Sequence, residues 1–226
     1  MLRKVFMQLE EAIKGRKSIR GFKPDPVNRD VLQSILESSI WAPSWGNTQP
    51  WEIAVIGSDV VKKLITEFLK RIKAGDPGNP DLEMPDSWPA VNKRRYVDVG
   101  RGLFTSLGIE RSDKEARSNH YLNMYSLFGA PNIIYIYMDK KISPYYGPFD
   151  LGAVTNNICL LAHEKGLGTC ILACSSHFTD VIREHVDISK DKIIVIGIAI
   201  GYPDENNLSY HFKSTRDKNV ISWHGF

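Results

Sequence analysis

The stretch from residue 151 to 165 restricts the fold more than any other part of the sequence. It has apolar residues at helical spacing on more than one face, and they are Leu151, Ala153, Val154, Ile158, Leu160, Leu161 and Ala162. A helix that is apolar nearly all round lies either at the centre of a large core or against a second subunit. We expect this helix to be capped by Asp150 and to end at Gly166.

Helical and strand-like patterns alternate along the rest of the chain. Apolar periodicity predicts further helices over residues 4–14, 29–40, 59–72, 91–107, 113–127 and 179–187. Ser58 is the expected cap of the third of these helices, and Ser112 with Glu115 forms a capping box before the fifth. Apolar runs predict strands over residues 51–56, 132–138, 169–174 and 192–200. This order indicates an α+β fold in which central strands are sandwiched by helices.

Two segments fall outside this alternation. Residues 74–90, AGDPGNPDLEMPDSWPA, contain four prolines and two glycines, which exclude a regular helix or strand. A loop of that length in a compact domain is usually functional or mobile. The tail after Gly201 is weakly patterned, and its aromatic residues need a surface elsewhere, for which a partner subunit is the natural candidate. These residues are Tyr210, Phe212, Trp223 and Phe226.

Composition narrows the classes of protein. With 226 residues, 42% of them hydrophobic, the chain can bury a sizeable core, and we expect a single domain over residues 1–226. A formal charge of +3 is a mild surplus, so we expect no nucleic-acid partner. No signal peptide and no membrane-spanning run is recognised, so we expect no membrane partner. Cys159, Cys170 and Cys174 have neither disulfide nor zinc spacing, which indicates reduced thiols in the cytoplasm and no metal site.

A basic cluster follows the first predicted helix and consists of Arg16, Lys17, Ser18 and Arg20. If this segment is extended, alternation places Arg16, Ser18 and Arg20 on one side. Two guanidinium groups that flank a hydroxyl group match the geometry of a phosphate. The alternative is that these cations only complement the dipole at the end of the preceding helix.

Residues 41–51, WAPSWGNTQPW, are called the Trp-rich loop below. Asn47 and Gln49 offer amide donors and acceptors that suit the edge of a heterocycle. Trp45 and Trp51 offer planar apolar area for its face. The alternative, which is equally open, is that the Trp-rich loop forms a structural corner beneath the core and binds no ligand.

Two further segments carry small or basic side chains. In GLGTCILAC, small residues at Gly168, Ala173 and Cys174 would let a flat ring approach the backbone closely. Ordinary packing of a helix on a strand is the alternative for this segment. In FKSTR, Lys213 and Arg216 form a basic pair near the C-terminus, which by itself is typical of a solvated tail.

The sequence lacks the common motifs of several other enzyme classes. It contains no G-x-G-x-x-G after a strand, no phosphate-binding P-loop, no H-E-x-x-H and no G-x-S-x-G. Its six histidines are scattered without the spacing of metal ligands. Chemistry carried by an organic cofactor would require only binding, orientation and electrostatics from the protein.

Taken together and in this order, five segments resemble the FMN-dependent nitroreductase family. They are RKSIR, APSWGNTQPW, DLGAVTNNICLLAHEKGLGTC, GIAIGYP and KSTR, and the resemblance runs from about residue 10 to the C-terminus. It implies a central mixed, mainly antiparallel sheet and a C-terminal extension, residues 202–226, that lies on the partner subunit. It also implies FMN as cofactor, NAD(P)H as electron donor and a homodimer with its sites at the interface.

The flavin contacts that the resemblance implies fall into three groups. The group at the FMN phosphate and pyrimidine edge is Arg16, Lys17, Ser18, Arg20, Lys213 and Arg216. The group that approaches the isoalloxazine ring from the other subunit is Pro43, Ser44, Trp45 and Asn47. The group whose strand backbone passes flavin N5 is Leu172, Ala173 and Cys174. The best-known branch of the family has a glutamate–glycine pair near the last two positions, so here the N5 contact is left to the backbone.

The resemblance also implies ping-pong turnover. NAD(P)H would deliver hydride to flavin N5, leave, and be replaced by a nitroaromatic, quinone or similar acceptor. Arg20 or Lys17 would stabilise negative charge on the reduced ring, and no side chain is required as a catalytic acid or base. The alternatives are a flavin-dependent reductase of activated alkenes or halogenated phenols, and a flavin-binding module with little turnover.

Met84 and Trp88 are apolar residues in the otherwise polar 74–90 loop. We expect this loop to lie as a lid over the mouth of the flavin pocket, with Trp88 covering the ring or the acceptor. Trp45 and Trp88 are therefore the candidate substrate-binding residues. The open alternative is a surface excursion that docks on the core of its own chain.

Overall fold

The computed structural model describes residues 7–226, so the beginning of the first predicted helix lies outside the described residues. The described helices are α1 (Leu9–Gly15), α2 (Arg29–Ser39), α3 (Ser58–Lys73), α4 (Ala90–Ser106), α5 (Lys114–Tyr125), α6 (Tyr146–Glu164) and α7 (Thr179–His185). The strands are β1 (Glu52–Ile56), β2 (Asn132–Asp139), β3 (Gly168–Leu172) and β4 (Lys192–Gly201). Short 3-10 turns cover Trp45–Asn47, Leu127–Gly129, Ala173–Ser176 and Lys218–Val220.

The four strands form one sheet in the order β1-β2-β4-β3, and all neighbouring strands are antiparallel. Ser18, which lies outside the four strands, forms an isolated parallel bridge with Thr169 of β3. The predicted α+β class with a mainly antiparallel central sheet is confirmed. β3 is an edge strand, and the segment that contains Ser18 runs beside it.

Each face of the sheet carries its own hydrophobic core. On β2, Tyr135 packs into the core with α3 and α7, whereas Ile134 packs into the core with α2 and α6. This division follows from the alternation of side chains along a strand. Both residues are fully buried, and burial of a large apolar side chain contributes about 1.5–3 kcal/mol. The sheet is therefore sandwiched by helices, as predicted.

Helix α6 confirms the predicted buried helix but starts earlier, at Tyr146. The predicted cap at Asp150 is wrong, because this residue lies inside the helix. Pro148 stands in the first turn, where its fixed φ and missing N–H are tolerated, and it marks the true start. The carboxylate of Asp150 is buried and accepts a hydrogen bond from the backbone N–H of Trp45 at 3.1 Å.

Both predicted serine caps are also wrong. Ser58 is the first residue of α3, and Gly57 occupies the cap position. For α5 the cap is Asp113, whose carboxylate accepts a hydrogen bond from the N–H of Ala116 at 2.8 Å. A carboxylate at this position also interacts favourably with the helix dipole, which explains why it replaces Ser112.

Candidate functional site

A cleft of about 460 Å³ lies between the end of α1, α4 and the C-terminal segment, and it is called the basic cleft below. Its cationic residues are Lys14, Arg16, Lys17, Arg20, Lys213 and Arg216. Its hydroxyl groups belong to Ser18, Ser214 and Thr215, and its apolar wall is Ile13, Val99 and Phe212. The structure thus brings the two predicted basic segments together, although nearly two hundred residues of chain separate them.

The segment that follows α1 is held in place by the edge of the sheet. The backbone N–H of Ile19 donates to the carbonyl of Thr169 on β3 at 2.9 Å, and the Ile19 side chain is buried. Because side chains alternate along an extended segment, Ser18 and Arg20 point away from that core and into the cleft.

Two aromatic residues of the tail support the cations. The ammonium group of Lys17 lies 3.8 Å from the centre of the Tyr210 ring, and the guanidinium carbon of Arg20 lies 5.9 Å from the Phe212 ring. The sequence analysis named a partner subunit as the natural surface for both rings, whereas in the single chain they contact their own subunit. A Cβ on Gly102 of α4 would lie only 2.9 Å from the Phe212 ring, so this glycine allows α4 to approach.

Five of the six cations of the basic cleft are not neutralised by acidic side chains, and the sixth, Lys14, forms an ion pair with Glu10. Within residues 7–226, the salt bridges involve none of Arg16, Lys17, Arg20, Lys213 and Arg216, and no carboxylate lines the cleft. Burial, followed by repulsion from Lys213, lowers the pKa of Lys17, although Glu205 raises it in part. A converging set of cations repels itself unless an anion is bound. Guanidinium, ammonium and hydroxyl donors together fit the terminal phosphate of FMN.

His163, near the end of α6, lies close to the cations of the basic cleft, and its pKa depends on them. A Cβ on Gly15 would lie 2.6 Å from its Nε2 atom, so the imidazole ring contacts the start of the basic segment. Burial lowers the pKa of His163, and the charges of Arg16, Lys17 and Lys213 lower it further.

Binding of a phosphate group is expected to raise the pKa of His163, because the dianion offsets the nearby cations. The check is an NMR pH titration of the imidazole signals with and without FMN. The exposed His185 on α7 serves as the internal control and is expected not to move. A pKa of His163 that stays constant or falls on FMN addition would contradict a phosphate at this position.

Leu172, Ala173 and Cys174 do not all lie on a strand, which corrects the prediction. β3 ends at Leu172, and Ala173–Ser176 forms a 3-10 turn that is called the 173–176 turn below. The hydroxyl group of Ser175 donates to the carbonyl of Leu172 at 2.6 Å, and that of Ser176 donates to the carbonyl of Ala173 at 2.9 Å. These side-chain bonds satisfy carbonyls that a strand would have paired, so the chain turns here.

The Trp-rich loop takes up the left-handed backbone conformation three times, at Gly46, Asn47 and Gln49. Ser44 fixes this conformation, because its side-chain oxygen accepts a hydrogen bond from the N–H of Gln49 at 3.0 Å. Trp45 is 69% exposed in the single chain, and Pro43 and Asn47 are also exposed. Exposed groups on a fixed backbone are available to a ligand or to another subunit.

The Trp-rich loop does not meet the basic cleft within one chain. It contacts Asp150 near the start of α6, whereas the basic segment contacts His163 near the end of that helix. At 1.5 Å per residue, these two points are about 20 Å apart along the helix. Trp51, which was expected to offer a flat face, is buried in the core beside α6.

The two apolar residues of the 74–90 loop also lie outside the basic cleft. Trp88 is 49% exposed and precedes α4, and Met84 is more exposed still. No helix or strand interrupts residues 76–89, as predicted. Within residues 7–226, no group of three metal-ligating side chains is placed to hold a metal ion. No helix in the same part of the chain is long and apolar enough to cross a membrane.

An α+β fold with a cleft of converging cations and hydroxyl groups fits a protein that binds a phosphate-bearing ligand. The nitroreductase family model matches residues 13–202. NfnB from sphigopyxis sp. strain HMH, an FMN- and NADPH-dependent nitroreductase, superposes with a TM-score of 0.92 at 30% identity, over 97% of this chain and 100% of that one. The 4-nitrobenzoate reductase of Nocardioides sp. is 29% identical over 217 residues, which are 91% of this chain and 84% of that protein. The nitrobenzene nitroreductase of Ectopseudomonas oleovorans is 28% identical over 207 residues, 89% of this chain and 91% of that protein.

The chain belongs to the nitroreductase family. The resemblance predicted from the five sequence segments is confirmed, and so is the predicted class, an FMN-dependent NAD(P)H oxidoreductase. FMN as cofactor and NAD(P)H as electron donor are confirmed with that class.

Proposed function

We propose that this chain reduces nitroaromatic or quinone-like acceptors with electrons from NAD(P)H in a ping-pong cycle. The observation that carries the proposal is the basic cleft, in which five cations converge without a salt bridge. Bound FMN supplies a ring that accepts a hydride at N5 and passes electrons to an acceptor. The residues of the chain bind and orient that group, which is why no catalytic triad is needed.

Residues of both basic segments would hold the cofactor. Lys213 and Arg216 on the tail and Arg16 after α1 hold the phosphate through charge-assisted hydrogen bonds. Arg20 and Lys17 lie further along the extended segment, and their charge would stabilise negative charge on a flavin ring bound there. Ser18 adds a hydroxyl donor beside the pyrimidine edge.

The active unit in this proposal is a homodimer with two sites at the interface. The Trp-rich loop is about 20 Å from the basic cleft of its own chain, as measured along α6. In this proposal Pro43, Ser44, Trp45 and Asn47 therefore contact the flavin that is bound in the cleft of a second copy. The exposure of Trp45 and of the C-terminal Trp223 and Phe226 supports the same assembly, with the end of the 202–226 extension, beyond Asp217, lying on the partner.

A nitroaromatic acceptor is favoured by two relatives, the 4-nitrobenzoate reductase and the nitrobenzene nitroreductase, whose lengths are largely covered by this chain. We place the protein in the cytoplasm, because Cys159, Cys170 and Cys174 are free thiols.

One spectroscopic experiment tests the proposal. The purified protein is expected to carry one non-covalent FMN per subunit, to bleach on addition of NAD(P)H under anaerobic conditions, and to regain its colour with 4-nitrobenzoate or a quinone. Slow re-oxidation by every acceptor would instead favour a flavin-binding module. Re-oxidation by activated alkenes or halogenated phenols alone would favour the other reductase classes. Extracted FAD, or protein that takes up no FMN, would refute the proposal.

Trp88 tests whether the 74–90 loop is a lid. If Trp88 covers the acceptor, Trp88→Ala changes the ratio of kcat/KM between a small and a large nitroaromatic by roughly tenfold, because pocket contacts discriminate through differential binding of the transition state. FMN affinity is expected to stay constant. Val55→Ala, at a similarly exposed apolar position on β1, is the control outside the loop. An unchanged ratio with a lower melting temperature would assign Trp88 to packing.

A further inference from the structure

The 173–176 turn is held from the inside of the molecule and from α5. The buried hydroxyl group of Tyr135 donates to the carbonyl of Ser175 at 3.0 Å. The thiol of Cys174 donates to the carbonyl of Met124 on α5 at 3.7 Å, and burial raises the pKa of this thiol to about 12. A Cβ on Gly197 of β4 would lie 2.1 Å from the Ser175 hydroxyl, so the sheet leaves room for the turn only at a glycine. The Cys174 side chain is therefore directed to α5, and the backbone of the turn remains for a ligand.

His177 follows the turn directly and links it to two other elements. Its Nε2 atom lies 2.6 Å from the carbonyl of Pro77, and its Nδ1 atom lies 3.3 Å from the hydroxyl group of Tyr125 on α5. A carbonyl can only accept, so Nε2 carries the proton, and in the neutral ring Nδ1 accepts from Tyr125. The backbone carbonyl of His177 accepts from the N–H of Asn79 at 2.9 Å. Gly78 presses against the ring, since a Cβ there would lie 1.8 Å from it.

The segment that holds His177, residues 76–81, is itself firmly anchored and is called the strap below. Asp81 forms an ion pair with Arg183 of α7 at 2.7 Å, and only about one seventh of either side chain is exposed. The same carboxylate accepts from the N–H of Ile194 on β4 at 2.8 Å. The hydroxyl group of Thr179 donates to the carbonyl of Asn79 at 2.7 Å. The strap is thus fixed to α7 and β4 of its own chain.

We infer that His177 is a positioning residue for the flavin: it joins the strap and α5 to the 173–176 turn and so fixes the backbone against which the ring lies. The inference rests on the proposed function and on the family resemblance, which implies that the backbone of Leu172, Ala173 and Cys174 lies beside flavin N5. If only the backbone of the turn contacts the flavin ring, no side chain can change its rotamer to improve that contact. Its geometry must therefore be supplied by the groups that hold the turn from behind.

The test compares variants that remove different bonds of His177. His177→Leu removes both ring hydrogen bonds, His177→Gln retains an N–H donor that can reach the carbonyl of Pro77, and Tyr125→Phe removes one hydroxyl group. Ile35→Val, in the core on the opposite face of the sheet, is the control for general destabilisation. The Kd of FMN for the apoprotein, the visible spectrum of the bound flavin and the melting temperature are measured for each protein.

His177→Leu is expected to raise the Kd about tenfold and to shift the flavin absorption bands, whereas His177→Gln raises it about threefold or less. Tyr125→Phe is expected to move the Kd in the same direction by about threefold, which keeps the test valid if His177→Leu does not fold. A wild-type Kd and spectrum in His177→Leu or Tyr125→Phe would overturn the inference. An equal effect of Ile35→Val would also overturn it, because the loss would then reflect stability. Wild-type protein that takes up no FMN would refute the proposed function itself.

Discussion

Replacing Arg16 and Arg20 together by alanine is expected to weaken FMN binding by about two orders of magnitude or more. Each charge-assisted hydrogen bond contributes about 1.5–3 kcal/mol, and every 1.4 kcal/mol is about tenfold in Kd. Neither guanidinium group forms a salt bridge within the described residues, so neither holds the fold by a charge pair. The apoprotein is therefore expected to fold as well as the wild type, or slightly better, because mutual repulsion of the cations is relieved.

The measurement is FMN titration of the apoprotein, with circular dichroism and thermal unfolding of the same samples. Arg29→Ala with Arg111→Ala removes the same charge from exposed positions outside the cleft and is the matched control. FMN affinity in this control is expected to stay within about twofold of wild type at physiological salt, because distant exposed charges are screened. An unfolded Arg16/Arg20 variant with no apo state would instead support the alternative that these cations complement a helix end.

The parts of the fold that could be predicted from sequence are those governed by periodic burial. β2 and α6 were found because their apolar residues must face the two cores on either side of the sheet. The ends of elements were less predictable, since they depend on single side-chain hydrogen bonds. Asp113 replaced Ser112 as a cap, and Pro148 marked a helix start that the buried Asp150 concealed.

For the site, the sequence supplied residue types but not their neighbours. The spacing of Arg20 indicated a phosphate site and the family resemblance assigned it to the flavin, but neither could show that Lys17 packs on Tyr210, which requires the tail to fold back on its own chain. The 173–176 turn could not be predicted, because the serine hydroxyl groups that bend it depend on space left by Gly197 on a distant strand. The contacts of the strap could not be predicted either, because Asp81 and Arg183 are far apart in sequence and meet only in the folded chain.

The open face of α6 provides the sharpest test of the dimer. Phe149 is 76% exposed there, and a Cβ on Gly152 would meet no atom within 4 Å in the single chain. Glutamate at position 152 is thus compatible with the folded subunit and favours the helix over glycine by about 0.5–1 kcal/mol. If this face packs against a second copy, Gly152→Glu buries an unpaired charge and is expected to convert the dimer into subunits of 25.6 kDa.

The same change is expected to remove most of the bound FMN and nearly all turnover, because in the proposed dimer the Trp-rich loop contacts the flavin of the partner. Sedimentation and flavin content of one preparation provide the measurement. Thr66→Glu adds the same charge to an exposed position on α3 and is expected to leave both values unchanged. If the Gly152→Glu protein stays dimeric, the dimer interface does not include this face of α6. A monomer that retains FMN and turns over would contradict the two-subunit site itself, since a cleft 20 Å or so from the loop would then suffice alone.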